Sequence, residues 1–153
     1  MRQDFQETVR LTSGRDAVWA TVSEIPTVLS WISIVGQAEE VADDAPGRYR
    51  ALLEDRLGPF KLRADLDIVV TERVEGELIR ARGEGEDRQI GSRLVIDVTL
   101  ALTDGGDGGG TTVDVRGSYE VTGRPAALGA SSIRKKAQKV IAEFFGRVEG
   151  ALA

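Results

Sequence analysis

The sequence predicts an α+β fold: a seven-stranded antiparallel sheet wrapped around a long C-terminal helix, with two short helices between strands 1 and 2. Three observations predict it. Apolar and polar residues alternate with a period of two near the N-terminus and again through the middle of the chain. Short Gly- and Pro-containing turns separate the later strands, as in an antiparallel meander. The C-terminal stretch carries apolar residues at three- and four-residue spacing.

The N-terminal part of the chain predicts one strand followed by two short helices. Residues 5–11 alternate as a strand does, and Ser13 and Asp16 have the spacing of a capping box. Pro26 suits the first turn of a second helix that runs to about Trp31. The first helix is expected to bury the following apolar residues: Ala17, Val18, Trp19, Ala20 and Val22.

Six consecutive strands are predicted after these helices. The alternation of the fifth strand does not define which of its sides faces inward. The glycine-rich tract 104–110 predicts a hairpin loop rather than a phosphate-binding loop, because strands flank it and no Lys follows. The six strands are expected at residues 34–42, 49–55, 60–70, 78–84, 94–102 and 113–121.

A long helix is predicted over residues 125–150. Its expected buried stripe consists of Ala126, Ala130, Ile133, Ala137, Val140 or Ile141, Phe144, Val148 and Leu152. The basic residues fall mostly away from this stripe and are interpreted as a solvated face, with docking to an acidic partner or an anionic membrane surface as the alternative. These basic residues are Arg134, Lys135, Lys136, Lys139 and Arg147.

Length and composition indicate one domain over residues 1–153. With 41% hydrophobic and 29% charged residues, the chain has the composition of a globular protein. The net charge of −5 disfavours nucleic acid as a partner. No apolar run approaches the roughly 18 residues of a membrane span, and residues 1–10 lack the apolar centre of a signal peptide. A cytoplasmic protein without a transmembrane segment is therefore expected.

The absence of Cys and His excludes whole classes of chemistry. Disulfides, thiolate nucleophiles, zinc fingers and iron–sulfur centres all need Cys or His, and so do Ser-His and Cys-His catalytic pairs. A metal would have to bind oxygen ligands alone, and no calcium-loop spacing occurs. We therefore predict no metal, no cofactor and no catalytic residue, and proton transfer would have to use Asp, Glu, Lys or Tyr.

The carboxylates on the strands give little support to an acid–base site. Four of them lie opposite the apolar faces and are expected at the solvent side: Asp65, Asp67, Asp97 and Asp114. Asp55 shares the inward phase of Tyr49 and Leu53, but it lies near the strand end. The facing of Arg82 is ambiguous.

One helix cannot fill the concavity of a strongly bent seven-stranded sheet, so a cavity between helix and sheet is expected, and apolar clefts of this kind hold ligands. Tyr49 and Tyr119 lie on inward strand phases, and each hydroxyl needs a polar partner when buried. The predicted ligand-binding residues are Trp31, Tyr49, Leu53, Phe60, Leu62, Ile96, Val98, Tyr119, Ile141 and Phe144.

The order of elements resembles the helix-grip fold of the START-like, or SRPBCC, superfamily. Six local segments are more specific: Ala17-Val18-Trp19, Gly47-Arg48-Tyr49-Arg50-Ala51, Leu57-Gly58-Pro59-Phe60-Lys61, Gly91-Ser92, Thr111-Thr112-Val113 and Val121-Thr122-Gly123-Arg124-Pro125-Ala126-Ala127-Leu128-Gly129. Over about residues 5–150, these segments are similar to one branch of the superfamily, the carbon monoxide dehydrogenase G-subunit family.

The resemblance implies an accessory role beside a molybdenum hydroxylase of the carbon monoxide dehydrogenase type: assembly, peripheral membrane association, or delivery of a quinone-like acceptor. The hypothesis is non-catalytic binding of a lipophilic small molecule, such as a quinone, between sheet and helix. One alternative is a polyketide cyclase- or dehydratase-like enzyme of the same superfamily, with Asp55, Arg82 and the two tyrosines as candidates. The other is a protein-interaction subunit with a filled core, docking through its basic helix face.

Overall fold

The computed structural model describes residues 1–41, 47–57, 60–89, 91–106, 109–123 and 130–152. Two short helices follow the first strand, six strands come next, and a long helix ends the described chain. The elements are β1 (Arg2–Leu11), α1 (Arg15–Val22), α2 (Ile25–Ser30), β2 (Val35–Glu40), β3 (Arg48–Leu57), β4 (Phe60–Val74), β5 (Leu78–Asp87), β6 (Ser92–Asp104), β7 (Thr111–Gly123) and α3 (Ala130–Leu152). The predicted α+β class and element order are confirmed.

All seven strands form one antiparallel sheet in the order β1-β7-β6-β5-β4-β3-β2. Strands β2 to β7 therefore make a continuous meander, and β1 adds to its free edge beside β7. The glycine-rich tract connects the paired ends of β6 and β7 at Asp104 and Thr111, as predicted, with residues 107–108 outside the described part.

Two glycines let neighbouring groups approach the sheet closely. At Gly117 in β7, a Cβ atom would lie 2.0 Å from the carbonyl oxygen of Asp97 and 3.0 Å from the ring of Phe5. At Gly83 in β5, a Cβ atom would lie 2.9 Å from the side chain of Ile96. Gly117 is required because a side chain would collide with the backbone of the adjacent strand, whereas a side chain at position 83 would have to push the Ile96 side chain aside.

The N-terminus of α1 differs from the prediction. Gly14 is the N-cap residue, and no side chain caps the helix, so the capping box at Ser13 is wrong. The hydroxyl of Ser13 instead donates to the carbonyl of Leu152 at the end of α3, while Thr111 Oγ1 donates to the Ser13 carbonyl over 2.8 Å. Ser13 therefore connects three elements, which local spacing alone does not reveal.

The buried side of α1 is narrower than predicted. Val18, Trp19 and Val22 are buried, whereas Ala17 and Ala20 are exposed. The bulky residues occupy one face at i, i+1 and i+4, and this leaves the small alanines on the opposite side. Burial therefore follows the larger apolar side chains.

Helix α3 crosses the concave face of the sheet. Near its C-terminus, Phe144 and Val148 belong to a core cluster built mainly with β1, α1, β6 and β7. Near its N-terminus, Ile133 packs with Tyr119 and Val121 of β7. The predicted start of this helix, residues 125–129, lies outside the described residues.

Among the described residues, no helix combines the length and apolar character needed to cross a membrane.

We predict that Phe144→Ala lowers the free energy of unfolding by about 3–5 kcal/mol, since it removes a buried ring and leaves a cavity in the main core. Phe144 is only 9% exposed and contacts both Trp31 and Phe145. Denaturant unfolding measures the loss. Phe145→Ala, at a half-buried neighbouring position, is the control and should cost less. A negligible change for Phe144→Ala would contradict the placement of α3.

Candidate functional site

A cavity of about 170 Å³ lies between the concave face of the sheet and α3. Strands β1 and β3 to β7 contribute to its wall, together with Ile34 from the segment before β2. The apolar side chains of this wall are Phe5, Ile34, Leu53, Leu62, Ala64, Leu94, Ile96, Val121, Ile133, Ala137, Val140 and Ile141, joined by the ring of Tyr119. A predominantly apolar wall with a few polar groups is typical of small-molecule sites.

Half of the residues predicted to bind a ligand border this cavity: Leu53, Leu62, Ile96, Tyr119 and Ile141. They come from four strands and from α3, so the fold brings together residues that are far apart in sequence. The side chain of Phe60 lies outside the described part of the chain.

Four other predicted residues do not line the cavity. Phe144 is buried in the core, and Trp31, Tyr49 and Val98 are partly buried and pack against core clusters. The rings of Trp31 and Phe144 are 6.2 Å apart, and Val98 packs against the same core cluster. Tyr49 packs against a second cluster on β3 and β4. Alternation along the strands correctly predicts that Tyr49 and Val98 face inward. It does not predict where along the strand the cavity lies.

An ion pair at the cavity wall joins β3 to α3. Lys136 Nζ lies 2.7 Å from Asp55 Oδ2, and the two side chains are 28% and 21% exposed. Both residues border the cavity. The interpretation of Lys136 as part of a solvated helix face is therefore wrong. Lys136 lies three residues after Ile133 and four before Val140, which places it on the apolar stripe.

The carboxylate of this ion pair has an oxygen with incomplete hydrogen bonding. Asp55 Oδ2 is shielded from solvent and accepts no geometrically sound hydrogen bond from the described residues, although the ammonium group of Lys136 is close. The Asp55 carboxylate can therefore still accept a hydrogen bond from a further donor. Asp87, a second carboxylate at the wall, differs because it accepts the backbone N–H groups of Arg63 (2.7 Å) and Gln89 (3.0 Å).

Tyr119 places a phenol in the cavity wall. Its side chain is buried at 6% exposure, and its ring stacks on Phe5 with 6.4 Å between centroids. Burial raises the pKa of Tyr119 above its ordinary value, because desolvation disfavours the phenolate, while the charge of Arg134 partly opposes the shift. The hydroxyl is therefore neutral at physiological pH.

The residues considered for an enzymatic site do not converge. Arg82 faces the outer side of the sheet, where it donates to Glu84 (2.9 Å) and Asp97 (3.1 Å). Asp55 lies at the cavity, but it pairs with Lys136 and with neither tyrosine.

The other strand carboxylates follow the prediction that they face away from the cavity. Asp65 and Asp67 are exposed, and Asp114 accepts hydrogen bonds from Gln6 and Thr8 on the outer face. Of the predicted basic helix face, Arg134, Lys135, Lys139 and Arg147 are exposed.

Solved structures share this architecture. A conserved protein from Geobacillus kaustophilus aligns with a TM-score of 0.81 at 20% identity, over 97% of this chain and 93% of that chain. A START superfamily protein from Mycobacterium smegmatis aligns with a TM-score of 0.72 at 14% identity, over 97% and 96%. DynU16, from the dynemicin biosynthetic locus, has a TM-score of 0.56 at 20% identity, over 95% of this chain and 45% of that chain.

These likenesses, with the sheet wrapped on one long helix, define a START-like domain of the helix-grip type. Within that class, the model of the carbon monoxide dehydrogenase G-subunit (CoxG) family matches residues 8–153, nearly the whole chain. The chain belongs to the CoxG family, as its local segments predicted. A comparison with curated proteins finds no match.

We predict that Tyr119 ionises above the ordinary tyrosine pKa of about 10. The chain has two tyrosines, so in Tyr49→Phe the ultraviolet absorbance of tyrosinate reports Tyr119 alone. The pKa of Tyr119 is higher in the folded protein than in the unfolded chain, so the neutral phenol favours the folded state. This contribution to the free energy of unfolding is fully present below the pKa of the unfolded chain. It is lost as the pH rises through the pKa of the folded protein. Titration at or below the value of a denatured control would contradict the burial of this hydroxyl.

Proposed function

We propose that this protein binds a lipophilic small molecule, such as a quinone head group, in the cavity between the sheet and α3, and that it does so without catalysis. The predominantly apolar wall of the cavity carries this proposal. Transfer of apolar surface from water to such a wall contributes about 25 cal/mol per Å². The predicted residues Leu53, Leu62, Ile96, Tyr119 and Ile141 form part of that wall.

The volume of the cavity limits the ligand. An engineered apolar cavity of about 150 Å³ in another protein stays dry and binds benzene. The present cavity, at about 170 Å³, is of similar size. We therefore propose a single-ring group as the part of the ligand that is enclosed, and any longer chain on it would have to lie outside this volume.

We propose that the cellular setting is that of the family: an accessory protein to a carbon monoxide dehydrogenase-type molybdenum hydroxylase, in the cytoplasm. Membership of the CoxG family supports this partnership. The exposed basic side chains of Arg134, Lys135 and Lys139 on α3 offer a surface for an acidic partner or for peripheral contact with anionic lipid. Co-purification of the hydroxylase with the tagged protein, and its loss when these three charges are reversed, tests the partnership.

We predict that Ala137→Leu weakens binding of a single-ring apolar probe by tenfold or more. The added carbons occupy cavity volume beside Ile133 and Val140, where Ala137 borders the wall. Calorimetric titration with benzene measures the effect. Native mass spectrometry of the protein purified from its host reports any retained natural ligand, which should also be lost from the variant.

The matched control is Ala142→Leu, which makes the same change on the exposed side of the same helix. It should bind as the wild-type protein does. Equal weakening by both substitutions would show that the effect comes from altered helix stability. Absence of benzene binding to the wild-type protein would overturn the proposed function.

A further inference from the structure

We propose that Asp55 and Lys136 form the polar recognition point of the cavity, and that the ligand is a neutral, ring-sized molecule with a hydroxyl group that donates to Asp55. Of a quinone couple, this selects the reduced hydroquinone, because the oxidised quinone carries only carbonyl acceptors. The proposal rests on the proposed binding function and specifies the chemical class of its ligand. Its basis is an ion pair at the wall of a predominantly apolar cavity, in which one carboxylate oxygen has no satisfactory donor among the described residues.

Asp55 Oδ2 needs a donor. An ionised carboxylate only accepts hydrogen bonds, and a buried acceptor left without one is unfavourable. Lys136 supplies charge at 2.7 Å, but its approach does not meet hydrogen-bond geometry. Leu53, Leu62 and Ile133 of the wall carry no side-chain donor, and the hydroxyl groups of Ser92 and Tyr119 do not donate to this oxygen. A hydroxyl group on a ligand supplies the missing O–H.

The pairing of charges at this point selects against ionised ligands. Asp55 and Lys136 already neutralise each other. A carboxylate ligand would compete with Asp55 for Lys136, and an ammonium ligand would compete with Lys136 for Asp55, so either would leave one half-buried charge unpaired. A hydroxyl leaves the ion pair intact. It also accepts an N–H from Lys136, which carries three donors.

Asp87 and Tyr119 do not offer the same recognition. Both carboxylate oxygens of Asp87 already accept backbone N–H groups, so they have less need of a ligand donor. The hydroxyl of Tyr119 is a neutral group, and its hydrogen bonds are weaker than those of an ionised carboxylate. Of the two carboxylates at the described wall, Asp55 is therefore the one with an oxygen that lacks a donor, and a phenol fits both the ring-sized volume and this acceptor.

The test compares benzene with phenol by calorimetric titration near neutral pH, where phenol is uncharged. In a wholly apolar cavity the hydroxyl would lose its hydrogen bonds to water and phenol would bind more weakly than benzene. With Asp55 as acceptor, we expect phenol to bind about tenfold to a hundredfold more tightly than benzene. In a protein labelled with ¹³C at the Asp carboxyls, phenol should shift the Asp55 resonance and benzene should not.

The double substitution Asp55→Leu, Lys136→Met removes the pair and keeps side chains of similar size, a change that folded proteins often tolerate. It should reverse the preference, so that benzene binds more tightly than phenol. Lys139→Met, which removes an exposed charge from the same helix, should retain the preference for phenol. The wild-type titration and the carboxyl resonance test the proposal even if the double variant does not fold.

The outcomes separate this proposal from the one on which it rests. If the wild-type protein binds benzene as tightly as phenol or more so, the recognition by Asp55 is overturned and ring binding stands. If it binds neither, the ligand-binding function is overturned, and this inference with it. If phenol is preferred equally by the wild-type protein and the double variant, another group at the wall is responsible and the assignment to Asp55 and Lys136 is overturned.

Discussion

The packing of one helix against a wide, concave sheet is the constraint on which the rest of this structure depends. Helix α3 contacts the core near both of its ends: Phe144 and Val148 belong to the main cluster, and Ile133 packs with Tyr119 and Val121. The cavity lies beside the second of these regions, since Ile133, Tyr119 and Val121 are also part of its wall. The same contacts that seat the helix on the sheet therefore shape the cavity.

Polar contacts outside the core hold α3 in this position. The Ser13 hydroxyl donates to the Leu152 carbonyl at the C-terminal end of the helix. Glu143 accepts both the backbone N–H and the hydroxyl of Ser33, each over 2.9 Å, in the segment that follows α2. Ile34, the next residue, borders the cavity. The same contact that fixes the helix therefore also positions one part of the cavity wall.

The sequence allowed the fold to be predicted because period-two alternation and helical spacing are local signals. They placed Leu53, Ile96 and Tyr119 on the inner face correctly. The position along a strand is a tertiary property: Val98 follows Ile96 on the same face, yet it packs in the core because α1 covers that end of the sheet. The charge of Lys136 predicts a solvent-facing position, but its spacing on the apolar stripe agrees with the observed position at the cavity.

The ion pair at the cavity distinguishes a binding site from a filled core. Taking Asp55 and Lys136 partly out of water has a desolvation cost that their attraction does not reliably recover, and apolar residues of similar size often stabilise a core as well or better. The poor hydrogen-bond geometry at Asp55 Oδ2 adds to that cost, although the ammonium group of Lys136 at 2.7 Å offsets part of it. Folding alone gives no reason to place such a group beside Leu53 and Leu62. A ligand that donates to Asp55 removes the unmet bond, so the cost borne by the free protein becomes a source of selectivity for hydroxylated rings.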